Sequence, residues 1–131
     1  MPKTEWKGAT LLAPVPPALV SCGTLEAPNA LAIAWTGILN SQPPKTYISV
    51  RPERYSYGLI KASGEFIINL PTAALVRAVD YCGVRSGRSE NKLAAARLTP
   101  EAVPGFAPPA IAESPLCLGC RVTGIGPLGT H

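Results

Sequence analysis

An apolar block at residues 18–22, ALVSC, is followed by four short stretches in which large or β-branched apolar side chains alternate or cluster: 31–35, 46–50, 65–69 and 117–125. Runs of this length bounded by Gly, Pro, Asn and Ser predict strands, and the leucine pair at 11–12 predicts another. Helical composition is confined to three places: residues 57–62, 72–81, and 90–97, which contain KLAAAR. Ser56, Thr72 and Ser89 are the expected N-caps, because a hydroxyl there can accept from an otherwise unpaired first-turn amide. The 15 prolines keep every element short, since proline is excluded from helix interiors and central strands. Residues 98–115 carry five of them, which predicts no regular element and a path across the surface. The pattern is mainly β with short helices, a barrel with helical excursions, and it shows no internal repeat or heptad.

At 131 residues the chain has room for one core, so residues 1–131 are read as a single domain. Its 47% apolar and 15% charged residues belong to a folded, well-buried protein. The cationic excess is small, 12 Lys and Arg against 8 Asp and Glu, and gathers in residues 45–61 and 77–97. That distribution suits a small anionic ligand. It is also the sole support for a basic binding module, and the aromatic interleaving that nucleic acid would call for is thin, so no nucleic-acid partner is expected.

Cys22, Cys82, Cys117, Cys120 and the lone His131 spell out no zinc site, because only Cys117 and Cys120 are spaced as a pair. That pair sits in strand-like sequence and not at a helix N-terminus that would activate a thiol, so it reads as two packed thiols. With no signal peptide and no apolar run long enough to span a bilayer, no membrane partner is expected and the compartment is read as cytoplasmic.

The densest chemistry lies in KTYISVRPERYSYGLIKASGEF, residues 45–66. Side chains alternate along a strand, so Ser49 and Arg51 leave from one face at the strand's end, a turn away from Tyr55 and Ser56. A helix opening there would aim its free amides and positive dipole end at the same point. A guanidinium adds a planar fork matched to phosphate oxygens. Taken alone, the stretch is either a phosphate cradle or a solvated turn in which Pro52 ends a strand and Ser56 caps a helix.

The run SCGTLEAPNALAIAWTGILNSQPPKTYISVRPERYSYGLIKASGEFIINLP, then DYCGVRSGRSENK and APPAIAESPLCLGCRV, closely resembles the flavin reductase-like, FMN-binding split-barrel family that includes flavoredoxin. The resemblance implies an FMN-binding split β-barrel with FMN in a groove at a homodimer interface. It implies that Ser49, Arg51, Tyr55 and Ser56 hold the phosphate and that Val50 between them also contacts the cofactor. It places the backbone of Ala34, Trp35 and Thr36 along the polar edge of the isoalloxazine, with Asn40 and Ser41 near the ring. Ser86, Gly87 and Lys92 would reach the cofactor or the subunit boundary. Members of the family usually continue past a motif like GTH into strands that finish the barrel, so the chain is expected to lack C-terminal strands.

No acid/base apparatus is legible: the eight carboxylates are scattered, histidine occurs only at 131, and no G-x-S-x-G is present. Catalytic residues are therefore not assigned. The implied reaction is reduction of FMN by NADH or NADPH, in which the protein binds and orients while the flavin carries the chemistry. Reduced flavin or electrons would pass to an oxygenase or redox partner. The other readings are a flavoredoxin-like electron carrier without useful NAD(P)H activity and, more distantly, the basic binding module.

Overall fold

The computed structural model describes residues 1–131. In chain order the elements are β1 (Ala18–Gly23), β2 (Pro28–Ile33), β3 (Thr36–Ser41), β4 (Pro44–Ile48), α1 (Tyr55–Ser63), β5 (Glu65–Leu70), α2 (Val76–Val84), α3 (Lys92–Ala95), β6 (Pro100–Glu101), β7 (Ala110–Ile111) and β8 (Leu116–Arg121). A 3₁₀ turn, Ala73–Leu75, leads into α2. One antiparallel sheet runs β2-β1-β5-β8, while β3 pairs only with β4 and β6 only with β7.

The apolar block ALVSC forms β1, a central strand buried on both faces, which is why it does not alternate with polar residues. Ala18, Val20 and Cys22 point to one side, where they meet Leu31, Phe66, Ile68 and Ile60 of α1. Leu19 points to the other and packs with Ala30, Val79, Cys82, Leu93, Leu98 and Ile111, so α2 and α3 cover that face. Burial of a leucine or isoleucine contributes about 1.5–3 kcal/mol, and these two clusters hold the sheet between its layers.

The structure departs from the sequence expectations in several places. Leu11 and Leu12 form no strand and are exposed. The strand expected over 31–35 ends at Ile33, and the chain bends at Ala34 and Trp35 into β3, a strand with no counterpart in the sequence reading. The turn at Gln42 and Pro43 then makes 36–48 a hairpin with an irregularity between Ile38 and Asn40. Pro44 is tolerated because it is the first residue of β4.

Residues 98–115 run over the surface only in part: they contain the short strands β6 and β7, and Leu98, Pro108, Pro109, Ala110 and Ile111 are buried. Pro108 and Pro109 bring no amide N–H that would need a partner. Buried Asn69 fixes the segment, donating to the Ser21 hydroxyl (2.9 Å) and accepting from the Ile111 amide (2.9 Å). The Ser21 hydroxyl in turn donates to the Pro109 carbonyl (2.6 Å).

The expected caps also differ. Arg54, not Ser56, occupies the N-cap of α1, Thr72 makes no capping hydrogen bond, and Asn91, not Ser89, caps α3. The strand expected over 117–125 stops at Arg121.

Hairpin β3–β4 pairs with neither edge of the four-stranded sheet. Between the hairpin, α1, β8 and residues 122–131 lies an open cavity of about 960 Å³. Ile48, Val50, Ile60, Phe66, Leu118 and Cys120 are among the apolar side chains lining it.

Candidate functional site

After β4, the Arg51 carbonyl accepts from the Arg54 amide (3.0 Å), closing a turn with Pro52 at the position where its fixed φ is favoured. Helix α1 opens immediately, with extended backbone at Arg54 and no side-chain cap. The Tyr57 amide reaches the Arg54 carbonyl (3.0 Å), whereas the amides of Tyr55 and Ser56 meet no protein acceptor. This uncapped start carries the positive end of the helix dipole. Arg51 is exposed beside it, with Glu53 at 3.7 Å as a loose, solvent-screened partner.

The Ser49 amide donates to the Trp35 carbonyl (2.9 Å), so the end of the hairpin is tied to the bend between β2 and β3. At that bend the amides of Ala34 and Trp35 have no protein acceptor, which leaves a donor edge beside the helix-opening turn. The Thr36 hydroxyl is engaged, donating to the Tyr47 carbonyl (2.6 Å). Val50 turns inward against the core. Asn40 and Ser41 lie at the far tip of the hairpin, about 13–16 Å further along β3 at ~3.3 Å per residue, and Asn40 closes the tip by donating to the Pro43 carbonyl (2.9 Å). They line the large cavity, as do Ser49 and Val50.

Two predicted residues face inward. Ser56 is buried, and its hydroxyl accepts from Asn29 Nδ2 (2.7 Å), so its amide is the group left free at the helix start. Lys92 is also buried, and its Nζ donates to the carbonyls of Cys82 (3.1 Å) and Arg85 (3.2 Å) at the C-terminal end of α2. That placement suits a cation at a helix C-terminus. Burial lowers the Lys92 pKa below the usual lysine range. Its side chain is thus directed into the interior, away from the cofactor or subunit boundary that the resemblance implied.

Ser86 opens the turn between α2 and α3, accepting from the Arg88 amide (3.2 Å) and the Ser89 hydroxyl (3.1 Å). Gly87 presses on the start of α1: a Cβ there would fall 2.2 Å from Asn29 Oδ1 and 2.6 Å from Tyr55 Cδ1. Arg88 crosses to the neighbouring turn, donating to the Glu53 carbonyl (3.1 Å) with its guanidinium 5.7 Å from the Tyr55 ring centre.

Asn29 and Arg88 were not singled out in the sequence. The signal for Asn29 was a carboxamide entering an apolar strand, which must find a partner when buried. No comparable signal marks Arg88.

The structure therefore gathers Ser49, Arg51, Tyr55, Ser56, Ser86 and Gly87 around one helix start and adjoins the backbone of 34–36, while Asn40 and Ser41 stand apart. The four cysteines are unpaired. Burial raises the pKa of the Cys22 and Cys82 thiols, so neither has the depressed value of an activated nucleophile.

The flavin reductase like domain family matches residues 11–131. The structure superposes on flavoredoxin of Desulfovibrio vulgaris (Miyazaki F) with a TM-score of 0.85 and 37% identity, covering 91% of this chain and 66% of that one. It superposes on the FMN-binding domain of a flavin reductases-like enzyme from Shewanella baltica with a TM-score of 0.76 and 28% identity, covering 81% and 56% respectively. An uncharacterised protein of Archaeoglobus fulgidus is 33% identical over 107 residues, which are 82% of this chain and 60% of that protein. The chain thus spans about three fifths of the length of that relative. The split barrel, the uncapped helix after the hairpin and the family match agree: the chain belongs to the flavin reductase like domain family.

Proposed function

We propose that residues 1–131 form a single domain that binds FMN, with the phosphate at the start of α1 and the polar edge of the isoalloxazine along the bend at Ala34, Trp35 and Thr36. The observation that carries this reading is the pair of unsatisfied donor sets, at Tyr55 and Ser56 and at Ala34 and Trp35, joined through the Ser49–Trp35 hydrogen bond. Arg51 supplies a guanidinium suited to a phosphate dianion, and displacing its loose contact with Glu53 costs little. The donor chemistry fits the group. Bound FMN would supply the hydride-transfer chemistry, with NADH or NADPH as the proposed donor. The chain's own part is to grip the phosphate, align the ring edge with backbone donors and shield one side of the flavin.

Reduced flavin or electrons would then pass to an oxygenase or redox partner in the cytoplasm, without nucleic acid or a membrane. A homodimer is the proposed assembly, in keeping with the apolar side chains of Ile38 and Leu39 left exposed on the hairpin. No helix is long and apolar enough to cross a membrane.

The similarity to flavoredoxin favours a second reading, a flavin-bound electron carrier without useful NAD(P)H activity. Anaerobic rapid mixing of the FMN-loaded protein with NADH and NADPH separates the two. Bleaching of the flavin absorbance within the enzyme's turnover time supports the reductase, whereas a flavin that stays oxidised until a redox partner is added supports the carrier. Failure to bind added FMN at all would overturn both.

A further inference from the structure

Arg88 stands out because it joins two segments that the chain separates by 35 positions. Its Nη2 donates to the Glu53 carbonyl, inside the turn that ends β4, and its guanidinium lies over Tyr55, the first residue of α1. The backbone beneath it is held from both sides. Gly87 is seated where no Cβ fits against Asn29 and Tyr55, and Asn29 holds Ser56 from within. Lys92 anchors the far end of the same loop on the last carbonyls of α2. Residues 87–92 therefore brace the outside of the 51–56 turn, and Arg88 is the brace's point of contact with the peptide whose neighbouring amides are free.

We propose that Arg88 is a positioning residue for phosphate recognition: it fixes the Glu53 peptide and the Tyr55 ring so that the opening amides of α1 and Arg51 converge on the phosphate, without itself being the group that grips it. The proposal rests on the reading of residues 49–56 as the FMN phosphate site. Its physical basis is preorganisation. A turn held in its binding conformation before the ligand arrives loses less conformational freedom on binding. A planar guanidinium can stack on the ring and donate to the carbonyl at once, which a compact ammonium does less well.

The test is a fluorescence titration of the full chain with FMN and with riboflavin, at low and high salt, for the unaltered protein and for Arg51→Ala, Arg88→Ala and Arg88→Lys. Arg88 is exposed and its loss leaves no buried group unpaired, and the thermal midpoint of each variant is compared with that of the unaltered protein. The expected result is that Arg88→Ala weakens FMN binding about three- to tenfold with riboflavin almost unchanged, a size in keeping with coupling between neighbouring residues. The salt dependence of FMN binding stays as in the unaltered protein, because no direct charge contact has been removed, and Arg88→Lys does not restore affinity. In Arg51→Ala, by contrast, the salt dependence falls.

Restoration by Arg88→Lys together with a reduced salt dependence in Arg88→Ala would make Arg88 a direct phosphate ligand and overturn the positioning role. Equal loss for both flavins, or no loss, would overturn it as well. If Arg51→Ala separates the two flavins and Arg88→Ala does not, this proposal alone fails. If Arg51→Ala does not separate them, the phosphate site lies elsewhere and both readings fall.

Discussion

Ser56 carries its hydroxyl into the interior, where Asn29 donates to it at 2.7 Å, and so serves the fold through its side chain and the proposed ligand through its amide. Replacing it with alanine leaves the Asn29 carboxamide with only a weak contact to Cys22 Sγ at 3.8 Å. A buried donor deprived of its partner costs about 1–3 kcal/mol. Ser56→Ala is therefore expected to lower unfolding stability by about 1–2 kcal/mol while changing FMN affinity by no more than about twofold. Urea unfolding and flavin titration of the same sample check both halves. A stable variant with a large loss of FMN affinity would mean that the hydroxyl, and not the amide, meets the phosphate.

At the scale of elements, β8 settles what the C-x-x-C spacing means. Cys117 pairs across the ladder with Asn69 and Cys120 with Phe66, and residues three apart on a strand point to opposite faces. Cys117 Sγ turns toward the carbonyls of Ile111 and Ser114, both at 3.9 Å, while Cys120 packs against the core on the cavity side. Such a pair cannot close a disulfide or grip one metal ion without breaking the strand. Cys117→Ser combined with Cys120→Ser is accordingly expected to keep flavin reduction within about twofold of the unaltered protein, with a small loss in thermal midpoint. A folded, FMN-loaded double variant that has lost flavin reduction would show that the pair takes part in the chemistry.

The elements that were legible in the sequence are those whose pattern follows from burial. Strand β1 reads as an unbroken apolar block because both its faces are covered, and β5 as a β-branched run for the same reason. Strand β3 was hidden because TGILNS is exposed on both faces over its last four residues, with Ile38 at 87% and Leu39 at 63% exposure, so it shows no apolar–polar alternation, and it runs into a proline turn that looks like loop. Buried 108–111 was hidden because its anchor, Asn69, sits 42 residues away from Ile111. The site divides in the same way. Arg51 and Tyr55 follow from a local turn, although β4 ends at Ile48, short of the Ser49 and Arg51 that strand alternation was expected to align; the inward course of Ser56 and Lys92 and the crossing of Arg88 depend on packing between distant segments.

For the whole molecule, the buried thiols set the behaviour of stability with pH. The Cys22 and Cys82 pKa values are raised by burial above the ordinary 9.0, so in the folded state these groups hold their protons where the unfolded chain releases them. Their contribution is complete below pH 9.0 and is lost as pH rises from there toward the folded values. Lys92 acts in the opposite sense. Its folded pKa lies below 10.5, so stability is regained as pH climbs from that lowered value to 10.5. Cys82→Ala removes one of the falling contributions, so its urea midpoint should decline less between about pH 8 and 10 than that of the unaltered protein. An equal or steeper decline would place the source of alkaline sensitivity elsewhere.

The central claim, that a phosphate-bearing flavin is gripped where the hairpin hands over to α1, is tested most directly by titrating Arg51→Ala with FMN and with riboflavin. These ligands differ in the phosphate alone. A charge-assisted contact of this kind is worth roughly 1.5–3 kcal/mol, or about ten- to a hundredfold in affinity. The predicted result is a loss of that size for FMN with riboflavin affinity nearly unchanged; equal losses for the two ligands, or none for FMN, would make residues 49–56 an ordinary solvated turn.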